Sequence, residues 1–491
     1  MLRDDSAMPR GAVVFSRRVA PWVSLVLMTA LTWWHTLPYG FVNWDDGAYV
    51  LNNPLIRGWT LSNLQGIATE VVTRNYAPLT IFTFLVDHSF WGLEAWGYRL
   101  TNLLLHCANG LLVFALMQRF CRSTYAAWLT AALFIVHPVQ VESVVWISSR
   151  KSLLCSALML SAFVIRLRER PAPRDEGWYL LLLVMALLAR AHAIILPPIV
   201  LLYDLLIARR RTPEAISAAI IPGLLGLLLL IMTMGAQNTV GGGVRAHMEI
   251  GLFRILEADS LILWEYIRML LAPSVQCVMY DPPISGIHLS AFAATTAWGV
   301  IGVTAWRTRH RSPMFLFGLL TALLLLLPVL NITPITTLMN DRYLYLPCLI
   351  VFGMVTTSLA TVTGLQPNGE RSQVLTIGVR TLSAGLLLGG CVLRTMAYQP
   401  VWQDSFSLWQ HALSQYPDMP VFRIQAAVTE SERGRFSTAS ALVRRALEEC
   451  DVDQFDEQRM RRCAAEWQQQ ADRLRLAQHT DTPISLTADA H

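Results

Sequence analysis

The sequence predicts an all-α protein, a polytopic membrane helix bundle followed by a short helical tail. Two observations carry this expectation. Of 491 residues, 54% are hydrophobic and only 15% charged, where a soluble protein carries about 25% charged residues. Apolar runs of roughly 17 to 25 residues, the length that crosses about 30 Å of hydrocarbon as a helix, recur from Ala20 to Ala397. Beyond Ala397 no run is long enough to span, and a polar helical pattern takes over. The expected domains are a cytoplasmic N-terminus over 1–19, a transmembrane domain over 20–397 and a helical tail over 398–491.

The first run, Ala20 to Leu37, follows Arg10, Arg17 and Arg18 and ends in WWHTLPYG rather than a small-residue cleavage site. It therefore reads as a retained helix and not a signal peptide. Basic clusters at Arg119/Arg122, Arg166 to Arg174, Arg209 to Arg211, Arg307 to Arg311 and, more weakly, Arg371 mark cytoplasmic loops. Between them the spans fall at 20–37, 100–118, 124–137, 151–167, 177–190, 193–208, 214–233, 288–306, 314–331, 343–362 and 374–397, eleven in all, with the N-terminus inside and the C-terminus outside. The segment from Leu252 to Leu271 is apolar but carries Arg254, Glu257, Asp259, Glu265 and Arg268. Counting it as a span would move the RTRHR cluster to the outer face, so an interfacial or re-entrant helix is expected there. Parity then gathers the loops holding Asp45/Asp46, Glu142/Arg150/Lys151 and Asp341/Arg342 on one outer face.

In the tail, WQDSFSLWQHALSQYP (402–417) recurs 34 residues later as FSTASALVRRALEECD (436–451). Trp409 maps to Val443, Ala412 to Ala446 and Leu413 to Leu447, with Gly434 as the turn before the second copy. That period belongs to tetratricopeptide repeats, built from paired helices; a generic helical hairpin is the alternative. The tail suits docking of a protein partner. Its only cysteines, Cys450 and Cys463, stand at a spacing that admits a disulfide if the compartment is oxidising.

Net charge is +5, from 39 basic against 34 acidic residues, a balance that argues against nucleic acid as a partner. Lys151 is the only lysine. So strong a preference for arginine suggests GC-rich bacterial coding and hence a bacterial inner membrane. No CxxC or Cys/His metal spacing is present.

The chemistry concentrates in short polar stretches. Asp45 and Asp46, in FVNWDDGAYVLNN, place two carboxylates at the bilayer edge. One of them can take the proton of an incoming hydroxyl while the other orients the acceptor or holds a divalent cation; the competing reading is a helix cap or a solvated loop pair. In HPVQVESVVWISSRK (137–151), Arg150 and Lys151 open a span. They suit a lipid-linked phosphate, one as a planar fork and the other as a point charge, against the alternative of snorkelling to headgroups. Arg342 in NDRYLYLP either binds phosphate or anchors its loop by pairing with Asp341. Arg99, Asn102 and His106 share one helical face, for ligand binding or for hydrogen bonding between helices. Arg190 and His192 sit in a short outer turn and receive no role.

Taken in order, FVNWDDGAYVLNNPLI, RLTNLLLHCANGLLVF, HPVQVESVVWISSRKSLL, LPPIVLLYD, NDRYLYLP and the repeat-like tail resemble the transmembrane-and-tetratricopeptide-repeat O-mannosyltransferases and their bacterial relatives, glycosyltransferases of the GT-C class. The resemblance covers about residues 38–450 and is most distinctive in HPVxVExVxWISxRK. It implies transfer of a sugar, typically mannose, from a polyprenyl-phosphate donor to a protein Ser/Thr hydroxyl on the extracytoplasmic face, with inversion. It further implies that Asp45 or Asp46 is the catalytic carboxylate and that Glu142, Arg150, Lys151 and Arg342, with His137 of the same motif, line the donor site. The chain departs from the family pattern at Ala77-Pro78-Leu79, at Arg190-Ala191 and at Ser152. Transfer to a lipid or glycan acceptor, a non-catalytic membrane scaffold with a docking tail, and a transporter are the other functions considered. The scaffold leaves the outer-face charges idle. The transporter lacks the internal symmetry and midplane breaks expected of it.

Overall fold

The computed structural model describes residues 10–479 apart from 74, 122, 169–171, 239–250, 284–285, 333–336, 363–369 and 450–453. Among the described residues there is no strand, only isolated bridges at Val72–Asn75 and Tyr280–Met339. In chain order the helices are α1 (Arg10–Trp33), α2 (Leu61–Thr69), α3 (Pro78–Trp91), α4 (Ala95–Phe120), α5 (Thr124–Val136), α6 (Val141–Val145), α7 (Arg150–Arg166), α8 (Pro173–Ala189), α9 (Leu196–Leu206) and α10 (Thr212–Asn238). They continue with α11 (Leu252–Leu271), α12 (His288–Arg307), α13 (Pro313–Leu326), α14 (Cys348–Val362), α15 (Glu370–Tyr398), α16 (Ser405–Gln415), α17 (Pro420–Glu432), α18 (Phe436–Glu449) and α19 (Gln454–His479). The chain forms two compact units, one of residues 1–39 and 46–400, the other of residues 40–45 and 401–491.

Among the described residues, five helical stretches, all beginning in the larger unit, are by themselves long and apolar enough to cross a membrane: Ala95–Phe120, Ile147–Arg166, Thr212–Gly235, His288–Arg307 and Thr381–Trp402. Thr124–Val136 and Pro138–Val145, bent by 50°, make a sixth if they are one span, and Ala191–Leu206, Pro313–Val329 and Cys348–Ala360 are shorter apolar helices. Helix α11 is not among these spans. The protein is thus an integral membrane protein by the length and composition of its helices.

The centre of this unit is α5, whose residues from Leu129 to Val136 are all buried. A 13-residue helix without a charge can be enclosed on every side, and α5 packs against α4, α14, α1 and α15. Gly110 lets α4 approach it: a Cβ there would stand 2.5 Å from the Ile135 side chain. By contrast α10, α12 and α15 expose rows of large apolar residues, such as Leu224 and Leu228, Leu289 and Phe292, Leu382 and Leu386. Unpartnered apolar faces of this size suit lipid rather than water.

In the smaller unit, Ala427, Ala439, Val443, Ala446 and Ala464 form a core edged by Ile424, Leu442, Leu447 and Trp467. The positions mapped onto one another by the sequence period, Trp409 with Val443 and Ala412 with Ala446, are all buried. Gly434 ends α17 with φ +74°. The Gly434 N–H donates to the Ser431 carbonyl at 2.9 Å and the Arg435 N–H to that of Glu430 at 2.8 Å, the two bonds of a Schellman stop. Cys450, half of the expected disulfide, lies outside the described residues.

Candidate active site

The buried helix α5 leads into a stretch where regular helix fails. Pro138 lacks an amide proton and ends α5, and His137 caps the turn that follows, its Nδ1 accepting from the Val139 N–H at 3.2 Å. The chain then makes α6, a second tight turn over Ile147–Ser149, and α7. Residues 137–150 are all buried. Interrupted backbone so deep in a membrane bundle needs hydrogen-bond partners from elsewhere, and α4 supplies them. The Arg99 Nε donates to the Val145 carbonyl at 3.1 Å. The Asn102 Nδ2 donates to that of Trp146 at 3.2 Å. His106 Nε2 lies 3.0 Å from the Ile135 carbonyl and its Nδ1 2.9 Å from the Tyr345 hydroxyl. The polar face of α4 therefore serves hydrogen bonding between segments.

Asp46 is fully buried. Its Oδ1 accepts from the Ser148 N–H at 3.0 Å and from the Ser148 hydroxyl at 2.5 Å. The turn after it, Gly47–Leu51, brings Tyr49 under Lys151, with Nζ 4.9 Å from the ring centroid and 3.4 Å from the hydroxyl. Lys151 also stands 5.9 Å from the Trp146 ring, and the Arg342 guanidinium stands 5.3 Å from the same ring. Arg342 is clasped by Glu142: Oε2 accepts its backbone N–H at 2.9 Å and Oε1 pairs with the guanidinium. Thus Lys151 and the Glu142-held Arg342 both face Trp146, and Asp46 is held two residues on, at Ser148, so that three segments far apart in the chain meet along the 137–151 stretch. Asp45 is only partly buried and belongs to the smaller unit, where it follows Asn43 and Trp44.

The other two expected donor residues face inward. Arg150 is wholly buried: it pairs with Asp87, donates from Nε to Asn102 Oδ1 at 2.9 Å and from a terminal nitrogen to the Tyr98 carbonyl at 2.6 Å, and lies 4.5 Å over the Phe84 ring. His137 Nε2 lies 3.1 Å from the Leu270 carbonyl. Of the unassigned pair, Arg190 donates to the Ser152 hydroxyl at 2.7 Å and His192 Nε2 lies 2.9 Å from the Leu325 carbonyl.

Asp341 sits beside Arg342 in the chain, completely buried, with the Tyr280 hydroxyl donating to its Oδ1 at 2.6 Å. Burial and the neighbouring Glu142 charge push its carboxyl well above the usual range, so its neutral form is favoured. Sequence reasoning missed three participants. Ser148 and Tyr49 carry no signal of their own. Asp87 did: an isolated carboxylate in TIFTFLVDHSFW requires a buried cationic partner. Among the described residues no group of three or more His, Cys, Asp or Glu is placed to hold a metal ion.

A cavity of about 430 Å³ lies among α4, α7, α9, α13 and α14. Its walls are apolar, including Met117, Phe163, Ile199, Phe317, Leu325 and Leu346. Leu346 follows Arg342 by one helical turn's worth of chain, while Ser312 of the same lining adjoins the Arg307–Arg311 cluster.

No protein-family model matches the chain. It is 21% identical over 403 residues to the protein O-mannosyl-transferase F38B6.6 of Caenorhabditis elegans, covering 76% of this chain and 54% of that one. It is 26% identical over 200 residues to mouse protein O-mannosyl-transferase TMTC3 (38% and 22% covered) and 29% identical over 169 residues to Drosophila melanogaster Tmtc3 (28% and 18%). The chain therefore spans about half of the worm protein and about a fifth of the others. Solved structures with a partial likeness are apo ArnT of Cupriavidus metallidurans (TM-score 0.42, 14% identity, 84% of this chain and 80% of that one) and the Archaeoglobus fulgidus oligosaccharyltransferase (TM-score 0.45, 12% identity, 82% and 57%).

Proposed function

We propose that this chain, similar in sequence to the protein O-mannosyl-transferases, is a membrane glycosyltransferase that moves a sugar, mannose in the first instance, from a polyprenyl-phosphate donor to a protein Ser/Thr hydroxyl. The observation that carries the reading is that Lys151 and Arg342 both face Trp146 while Asp46, next in the chain to Asp45, is bound to Ser148 of the same stretch. Two cations facing one aromatic ring, and an acidic pair tied through Asp46 to the same 137–151 stretch, match the needs of one reaction: removing a hydroxyl proton and neutralising a departing phosphate.

In that reaction Asp45, the more accessible carboxylate, takes the acceptor's proton as its oxygen attacks the anomeric carbon. The bond from that carbon to the phosphate oxygen breaks on the opposite face, which inverts the centre. The polyprenyl phosphate leaves with the electron pair, and Lys151 and Arg342 stabilise its charge. Glu142 holds Arg342 in place, and Asp46 ties the acidic loop to Ser148. Arg150 and His137 fix the interrupted 137–151 stretch from within and so position the donor site. The apolar cavity takes the polyprenyl chain, as its lining and its run alongside α7 and α14 suit a long hydrocarbon. A divalent cation at Asp45 and Asp46 would need further ligands from donor or water.

We place the site on the extracytoplasmic face of an eleven-span bundle, with α11 at the interface, from the distribution of basic loops. The tail is a tetratricopeptide-like pair of helical hairpins. Incubating the purified protein with labelled polyprenyl-phosphate mannose and a Ser/Thr-rich peptide tests the reading. Labelled peptide is expected; label recovered only in lipid or glycan would reassign the acceptor.

A further inference from the structure

The boundary between the two compact units falls between Asp45 and Asp46. Residues 40–45 belong with the tail helices, and the contacts inside that unit centre on one side chain. The Asn43 amide oxygen accepts from the Trp409 Nε1–H, and its amide nitrogen donates to the Thr429 hydroxyl at 2.9 Å. Its backbone N–H donates to the Ser405 hydroxyl at 2.9 Å. Three residues earlier, the Gly40 N–H donates to the Gln403 carbonyl at 2.8 Å. The next residue after Asn43, Trp44, meets Trp409 edge to face with centroids 5.4 Å apart, and Trp409 in turn packs on Phe422 at 5.9 Å.

Such a set exceeds what anchoring a loop requires. A short loop segment is satisfied by water at its polar atoms. Here both ends of one amide and the adjoining backbone donor are each met by a different tail residue, two from α16 and one from α17. An amide bound at both ends has one orientation, and the following backbone is fixed with it. Asp45 lies two residues on.

We infer that Asn43, Trp409 and Thr429 are positioning residues for Asp45. The inference rests on the glycosyltransferase reading of the site. Reaction rate depends steeply on such placement, since a displacement of about 1 Å at a reacting group can cost on the order of 10²-fold. Donor binding, made by Lys151 and Arg342, is left alone.

The test uses the full chain and steady-state kinetics with polyprenyl-phosphate mannose and a Ser/Thr peptide. Asn43→Ala, Trp409→Phe and Thr429→Val should each lower kcat by about 10- to 100-fold, measured per folded molecule, with donor KM changed less than about twofold. Thr429→Ser, which keeps the hydroxyl, should restore kcat toward wild type, and Asn43→Ala with Trp409→Phe should lose little more than either alone, because both break one bond. The inference is overturned if Asp45→Asn is inactive while these variants keep wild-type kcat. It is also overturned if their losses follow the fraction of protein unfolded, or if donor KM moves and kcat does not. A wild-type chain that transfers no sugar from this donor would remove the reading of the site and this inference together.

Discussion

Arg150 and Lys151 are neighbours in sequence with opposite surroundings, and substituting each separates positioning from binding. Arg150 is enclosed with Asp87 and Asn102. Arg150→Ala leaves Asp87 as an uncompensated buried charge, a change that costs about 3–5 kcal/mol in such pairs. The expected outcome is loss of folded protein in detergent, read as a lowered unfolding temperature. Lys151 rests against the Tyr49 and Trp146 rings and makes a long hydrogen bond to the Tyr49 hydroxyl. Lys151→Ala should unfold as wild type does and raise donor KM, and Lys151→Arg should remain impaired because the guanidinium is larger and its donors are fixed in a plane. Unchanged donor KM in both would assign Lys151 to lipid headgroups.

Asp341 adds a pH dependence with a definite sign. Its carboxyl is raised by burial and by Glu142, so its stabilising contribution is complete below the ordinary carboxylate range and is lost as pH rises through the raised value. Asp341→Asn, which is neutral at every pH, should therefore lessen the loss of stability as pH rises above the ordinary carboxylate range. A pH series of unfolding temperatures measures it, and parallel curves for the two proteins would contradict the assignment.

At the scale of elements, the tail helices and their turn were legible in the sequence. The buried pairs Trp409/Val443 and Ala412/Ala446 follow from a 34-residue period, and Gly434 was recognisable because only a residue without a Cβ adopts φ +74° without strain. Gly434→Ala should destabilise the tail by about 1–2 kcal/mol, seen as an earlier unfolding transition or faster proteolysis after α17; an unchanged tail would show that the turn relaxes. The break between α5 and α7 was legible as a motif but not as a geometry. His137 and Arg150 stand in a stretch whose conformation is set by its neighbours, α4 above all, so sequence spacing could not tell a residue facing a ligand from one facing Asn102. Nor could any local pattern assign residues 40–45 to the tail, since apolar periodicity reports one buried face and not the distant residue that Asn43 meets.

For the molecule as a whole, membrane insertion follows from composition, whereas sidedness depends on the charges of short loops. Reporter fusions at Gln276 and within the turn at Gly434 should both score extracytoplasmic, and a cytoplasmic signal at Gln276 would make α11 a crossing helix. The charged stretches at Asp45/Asp46, 137–151 and 341–342 are unremarkable one at a time. Their shared significance rests on a fold that brings Glu142 and Lys151 to Trp146 and Arg342, as the structure does.

The most direct test of the account is transfer of labelled mannose from polyprenyl phosphate to a Ser/Thr peptide by the wild-type protein and by Asp45→Asn, each purified in folded form. The wild type is predicted to label the peptide and to invert the anomeric configuration, and Asp45→Asn to lose turnover by at least about 10²-fold, the lower end of what a positioned general base contributes. Equal turnover in the two proteins, or none in the wild type with this class of donor, would contradict it.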